Sequence, residues 1–148
     1  MKKILSMILC ICLLLGAAAT AEEGPGEDSF LLRIWNESGL EISYLRFDFY
    51  TGDFLSCMLA SCPNDGEDFY RAEYAASPEE LTELRIQCSY GVSDLKPEDA
   101  ILELMAGKPA EEHPVQLPEL APEGGQVYDL ELVSDGEGGL LLQAPETV

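Results

Sequence analysis

Apolar and polar residues alternate along most of the chain, and clusters of glycine, proline and acidic residues interrupt the alternation about every ten positions. Alternation with a period of two places successive side chains on opposite faces of a β-strand. The pattern predicts six or seven short strands, over 29–36, 40–50, 54–61, 69–76, 84–90, 126–134 and 140–144.

Two places in the chain carry further local signals, one within a predicted strand and one between two strands. In the second strand the alternation changes phase at Tyr44, so we expect a β-bulge there that keeps both halves facing the core. Ser77-Pro78-Glu79-Glu80 has the residues of a helix start, but alternation resumes at Leu84. The capping signal therefore predicts a single helical turn.

Helical periodicity is found in one segment, for which we predict a short helix near 97–106. Pro97 begins it, acidic residues follow in the first turn, and Gly107 ends it. Four apolar residues share one face: Ile101, Leu102, Leu104 and Met105. Residues 108–126 contain four prolines and are expected to form an extended connection without a buried element.

Short strands joined by frequent turns predict a mainly β fold, an antiparallel β-sandwich of the immunoglobulin-like or transthyretin-like kind with the one short helix. Residues 29–148 are expected to form this single domain. Without its first 21 residues the chain has 127, which is an ordinary size for one domain.

The first 21 residues have the layout of a secretory signal peptide: a positive start, an uncharged apolar run over 4–15, and small residues at the end. Cleavage is expected between Ala21 and Glu22, and 22–28 should form a flexible acidic leader. The apolar run is shorter than the roughly 20 residues that cross a bilayer, so no membrane span is expected after cleavage. We expect a secreted or otherwise extracytoplasmic protein, and the start Met1-Lys2-Lys3 is typical of bacterial signals.

The net charge of the chain without its signal peptide restricts the classes of molecule that it can bind. It holds 28 acidic and six basic residues, a formal net charge of −22. Such a charge repels the phosphates of nucleic acids and of anionic lipids. We therefore expect an unknown protein or envelope component, of cationic character, as the partner, and no nucleic acid.

Three cysteines follow the leader, and in an oxidising compartment we expect two of them to form one structural disulfide. Cys57 and Cys62 lie roughly 16 Å apart in an extended strand, which leaves them able to pair only across a sharp turn. Cys57 and Cys88 both share a face with apolar neighbours, so they are expected to face one another across the sandwich. The alternatives are three buried thiols, or a metal or redox site.

The acidic turn that follows Cys62 is a candidate calcium site. Asn64, Asp65, Glu67 and Asp68 offer side-chain oxygens within five positions, and calcium prefers oxygen ligands. The alternative is a turn whose side chains bind its own backbone. No other cofactor is predicted.

No set of residues indicates catalysis. His113, the only histidine, lies between Glu112 and Pro114 in the predicted connection, and a nucleophile activated by histidine would have to use it. We predict no catalytic or cofactor-binding residues. The leading hypothesis is a secreted, non-catalytic module that binds an unknown ligand through strand edges or end loops. The alternatives are a calcium-stabilised extracellular domain and a carboxylate-dependent hydrolase, which would need two acids facing one cleft.

Overall fold

The computed structural model describes residues 25–145, which form eight strands and two short helices. The predicted signal peptide and its cleavage site at Ala21 and Glu22 lie outside the described residues. None of the helices in residues 25–145 has the length and apolar character needed to cross a membrane. The strands are β1 Ser29–Asn36, β2 Tyr44–Thr51, β3 Phe54–Ser61, β4 Phe69–Ala75, β5 Leu84–Val92, β6 Glu111–Gln116, β7 Val127–Ser134 and β8 Leu140–Gln143, and the helices are α1 Pro78–Thr82 and α2 Pro97–Met105.

All eight strands belong to one sheet, in the order β3-β2-β5-β6-β8-β7-β1-β4. Adjacent strands run antiparallel except for β1 with β7 and β6 with β8, which are parallel. The sheet curls until its two end strands lie close together, where the Arg71 backbone N–H donates to Ser61 Oγ at 3.1 Å. The prediction of a mainly β fold is confirmed, but the sheet is nearly closed and barrel-like. The two packed sheets of the expected sandwich are not seen in the described residues.

The interior is filled by apolar side chains from all eight strands. Tyr74 stacks on Phe49 with ring centroids 4.4 Å apart, and Phe30 contacts both rings. Burial of this apolar surface is the main stabilising contribution to such a fold. The fully buried members include Phe30, Leu32, Ile34, Leu45, Phe47, Phe49 and Leu132.

Helix α2 packs on the outer face of the sheet over β2. Ala100 and Leu104 contact the Tyr44 side chain, which is fully buried beneath them. Gly107 follows the helix with φ of 82°, and the Lys108 N–H donates to the Glu103 carbonyl at 2.8 Å, as in a glycine-terminated helix. The predicted helix is confirmed within one residue at its end.

Helix α1 confirms the single turn predicted from its capping residues. The Ser77 side chain accepts from the Glu80 N–H, and the Glu80 carboxylate accepts from the Ser77 N–H at 2.8 Å. The helix has five residues, after which β5 begins at Leu84. The reciprocal capping bonds therefore stabilise one turn and do not extend it.

One prediction about the strands was wrong. The connection 108–126 contains β6, because a strand tolerates Pro114 where the ladder requires no N–H. The bulge expected at Tyr44 stays a prediction, because the ladder of β2 begins there; Ile42 and Leu45 both pack against the core, and Tyr44 faces outward beneath α2. A register shift between β2 and β3 lies between Phe49 and Tyr50.

Candidate functional site

A cleft of about 560 Å³ opens beside β5, where its pairing with β6 ends. This β5–β6 cleft is lined by polar side chains of β2, β5 and β6 and by apolar residues next to the core. Its volume lies within the range of roughly 300–1,000 Å³ that is typical of binding pockets. The lining residues that matter below are Arg46, Asp48, Ile86, Gln87, Glu112 and Leu117.

Strand pairing explains why the cleft exists. β5 pairs with β2 from Leu84 to Gly91, but it pairs with β6 only from Cys88 to Val92. On its other edge β6 pairs with β8 at Val115 and Gln116, and the strand ends at Gln116. Within residues 25–145, the first half of β5 therefore has no strand beside it on the β6 side, and the cleft lies beside Ile86 and Gln87.

The charged side chains of the cleft form one network centred on Arg46. Its Nε donates to Asp48 Oδ1 at 3.1 Å and its Nη1 donates to Glu112 Oε1 at 2.9 Å. Burial lowers the pKa of Arg46, but the hydrogen bonds and charges of the two carboxylates outweigh burial and raise it overall. One cation thus lies between two anions, so the network is negatively charged.

Glu112 is held from a second side by Tyr44. The Tyr44 hydroxyl donates to Glu112 Oε2 at 3.1 Å and accepts from the Ala110 N–H at 3.3 Å. Burial, and secondly the charge of Glu112, raise the pKa of Tyr44. Because α2 covers the Tyr44 ring, the helix fixes the position of a carboxylate that lines the cleft.

The structure places the cysteines apart. No disulfide joins Cys57, Cys62 and Cys88 to one another in the described residues. Cys57 and Cys88 lie on β3 and β5, with β2 between them, opposite Phe49 and Phe47. Two strand spacings amount to roughly 10 Å, which exceeds the roughly 7 Å between the Cα atoms of a disulfide. The expected disulfide is therefore not found, since these two residues share one curved sheet instead of facing one another across two.

Two of the thiols, those of Cys62 and Cys88, have raised pKa values. Burial raises the pKa of Cys88 far above its usual value, and Asp48 adds to the effect. Burial, followed by the charge of Glu98, also raises the pKa of Cys62. Reactive cysteines require a lowered pKa. Cys62 and Cys88 therefore have the character of protonated structural thiols.

The acidic turn has internal partners for its central carboxylate. Glu67 Oε2 accepts from the Asn64 side chain at 3.1 Å, and Glu67 Oε1 accepts from Arg71 at 3.4 Å. Asp65 and Asp68 are exposed. No group of three or more metal-binding side chains occurs in the part of the chain that the structure describes. Calcium binding by Asn64, Asp65, Glu67 and Asp68 stays a prediction, which the melting temperature with and without calcium would test.

His113 lies in β6 and not in a loop. Its Nε2 is 3.2 Å from Glu111 Oε1, and its ring centroid is 5.2 Å from that of Tyr90. His113 also lines the cleft. It contacts an acidic neighbour in its own strand, and no nucleophile within the described residues is hydrogen-bonded to it.

An aromatic surface on the other side of the molecule was not predicted. Trp35 and Phe69 are opposite one another on β1 and β4, with ring centroids 5.3 Å apart. Arg33 lies over both rings and forms a two-bond ion pair with Asp129, at 2.7 and 2.8 Å. These groups are engaged with one another, which is typical of a structural surface cluster.

The sequence pattern indicates Cys88 and His113 as candidates, and both line the cleft, but it does not distinguish Arg46, Asp48 or Glu112. Arg46 and Asp48 alternate with core residues of β2, whereas Glu112 lies 66 positions beyond Arg46 in a segment expected to be a connection. Among 28 acidic residues, no local pattern distinguishes the two carboxylates. The alternation of charge within β2 was the one available signal, and it shows only that these side chains face outward. Comparisons with models of protein families, with characterised proteins and with solved structures found no match to this chain.

Proposed function

We propose that the chain is a secreted, non-catalytic binding module that holds a cationic segment of a partner protein or envelope component in the β5–β6 cleft. The observation that carries this proposal is the network in which Arg46 lies between Asp48 and Glu112. An added lysine or arginine side chain would complete the neutralisation of the two carboxylates. The signal-peptide pattern of residues 1–21 supports a location outside the cytoplasm.

The charge of the whole molecule favours the same class of ligand. Six basic residues against 28 acidic ones produce a negative potential over the surface, which attracts cations and accelerates their association. The cleft adds a defined location to this general attraction. It combines a negative network with apolar residues such as Ile86 and Leu117, as binding pockets do.

The arrangement of the carboxylates favours binding over hydrolysis. Asp48 and Glu112 do line one cleft, as a carboxylate-dependent hydrolase would require. Such an enzyme needs one carboxyl group as a proton donor and the other as a base or nucleophile. Here the same guanidinium binds both groups, which is the arrangement of a structural ion pair.

Calorimetric titration with a basic peptide tests the proposal. The probe is the acetylated and amidated pentapeptide Lys-Val-Lys-Val-Lys. Asp48→Asn should weaken its binding about tenfold, since a hydrogen bond to a charged group contributes about 1.5–3 kcal/mol. Added salt should weaken binding further.

Asp65→Asn is the matched control, because it changes the net charge equally in the exposed acidic turn. Affinity close to that of the unchanged protein is expected for this variant. Equal losses in both variants would show that only the overall charge matters. Absence of binding by the unchanged protein would contradict the proposal itself.

A further inference from the structure

The structure points to the way in which the segment is held: we infer that it binds as an added β-strand along the unpaired edge of β5, at Leu84–Gln87. This inference rests on the proposed function and adds the conformation and the residue pattern of the ligand. Strand addition supplies affinity through backbone hydrogen bonds, while pockets for alternate side chains supply specificity.

The backbone of β5 has the correct orientation for such pairing. The Ser43 N–H donates to the Gly91 carbonyl at 2.8 Å, so the peptide groups of Gly91 point toward β2. The direction alternates along a strand, and Cys88 and Ile86 must therefore direct their N–H and C=O groups toward β6. Cys88 lies opposite Val115 in the ladder.

Ile86 is the next residue with this orientation, and its partner is missing. The ladder with β6 stops at Cys88, and no backbone hydrogen bond within residues 25–145 joins Ile86 to the chain on that side. One donor and one acceptor of Ile86 thus face the cleft. Leu84 repeats the orientation two residues away, so an extended ligand can form two pairs of backbone bonds over about 7 Å.

The side chains around this edge define a ligand pattern. A ligand residue opposite Ile86 would point to the same face as Ile86, which packs against the core beside Leu117. An apolar side chain fits there. The next ligand residue would lie opposite Gln87 and face outward, on the same side as Asp48, which pairs with Gln87. A basic side chain fits this position, so we expect a basic residue next to an apolar one in the ligand.

The two end strands of the sheet offer less room for an added strand. β3 and β4 lie close together, and Arg71 donates its backbone N–H across the gap to Ser61. Farther along, burial raises the pKa of Tyr74, and hydrogen bonds with Ser56 and Thr51 partly offset that effect. Side chains therefore bridge that gap, whereas the edge at Ile86 opens into the cleft.

Backbone methylation of the same pentapeptide tests strand addition. When valine lies opposite Ile86, its N–H faces β5, whereas the N–H groups of the lysines face away. N-methylation of both valines should weaken binding at least about tenfold, because it removes donors to the ladder. N-methylation of the central lysine is the matched control and should change affinity by less than about threefold.

The outcomes show whether the inference fails alone or together with the proposed function. If the two methylated peptides behave alike, whether both bind or both fail, strand addition is contradicted. Retained sensitivity to Asp48→Asn in that case would leave the proposed charge recognition intact. If the unmethylated peptide does not bind the unchanged protein, both the inference and the proposed function are wrong.

Discussion

At the scale of single residues, Gly91 shows how tightly the outer face of the sheet is packed. A Cβ atom at this position would lie 2.4–2.8 Å from three carbon atoms of the Tyr44 ring. That ring is fully buried, and its hydroxyl is fixed by Glu112 and Ala110, so it has little freedom to move. Gly91→Ala should therefore lower the free energy of unfolding by about 1–3 kcal/mol.

Urea denaturation measures this effect directly. Ser89→Ala is the control, since Ser89 lies two residues away on the same face of β5 and no hydrogen bond of its side chain occurs in the described residues. A change within about 0.5 kcal/mol is expected there. A Gly91→Ala variant as stable as the unchanged protein would show that the Tyr44 ring is not confined as described.

At the scale of elements, α2 supports the cleft by covering Tyr44. Leu104 is 6% exposed and contacts the sheet, while Leu102 on the same helix is 63% exposed. Leu104→Ala should cost about 2–5 kcal/mol of stability, because it removes a buried side chain and leaves a cavity. Leu102→Ala should change stability by about 0.5 kcal/mol or less. Thermal or urea unfolding of the pair checks both values, and equal effects would contradict the packing of α2.

The elements also show how far the sequence alone leads. The alternation within β1 to β5, β7 and β8 and the caps of α1 and α2 are local, so the pattern located these elements. β6 was missed because Pro114 is unfavourable in most strands. The order of the strands could not be predicted from the sequence either, because the parallel pairs of β1 with β7 and β6 with β8 depend on contacts between distant segments. The cleft arises from this order, which is why Asp48 and Glu112 did not stand out.

At the scale of the whole molecule, buried tyrosines link stability to alkaline pH. Burial is the largest cause that raises the pKa of Tyr44, Tyr70 and Tyr74 above the ordinary value of about 10. A raised pKa in the folded state contributes stability that is fully present below pH about 10 and is lost as pH rises through the folded-state pKa. The free energy of unfolding should therefore fall above this pH.

Tyrosinate absorbance during an alkaline titration tests this expectation. In the folded protein part of the signal should develop at higher pH than in urea, and Tyr44→Phe should remove a share of that late signal. Coincident titration curves for the folded and unfolded chains would contradict the burial of these side chains.

We propose that the β5–β6 cleft binds a basic, extended segment, and hydrogen exchange at the Ile86 amide is the most direct test of this binding. This N–H faces the cleft without a backbone partner on that side in residues 25–145, so exchange measured by NMR should slow at least about tenfold when the Lys-Val-Lys-Val-Lys peptide is added. The Glu67 amide, which donates to the Asn64 carbonyl in the acidic turn, is the internal reference and should not change. Unchanged exchange at Ile86 with saturating peptide, or slowing confined to the acidic turn, would contradict the account.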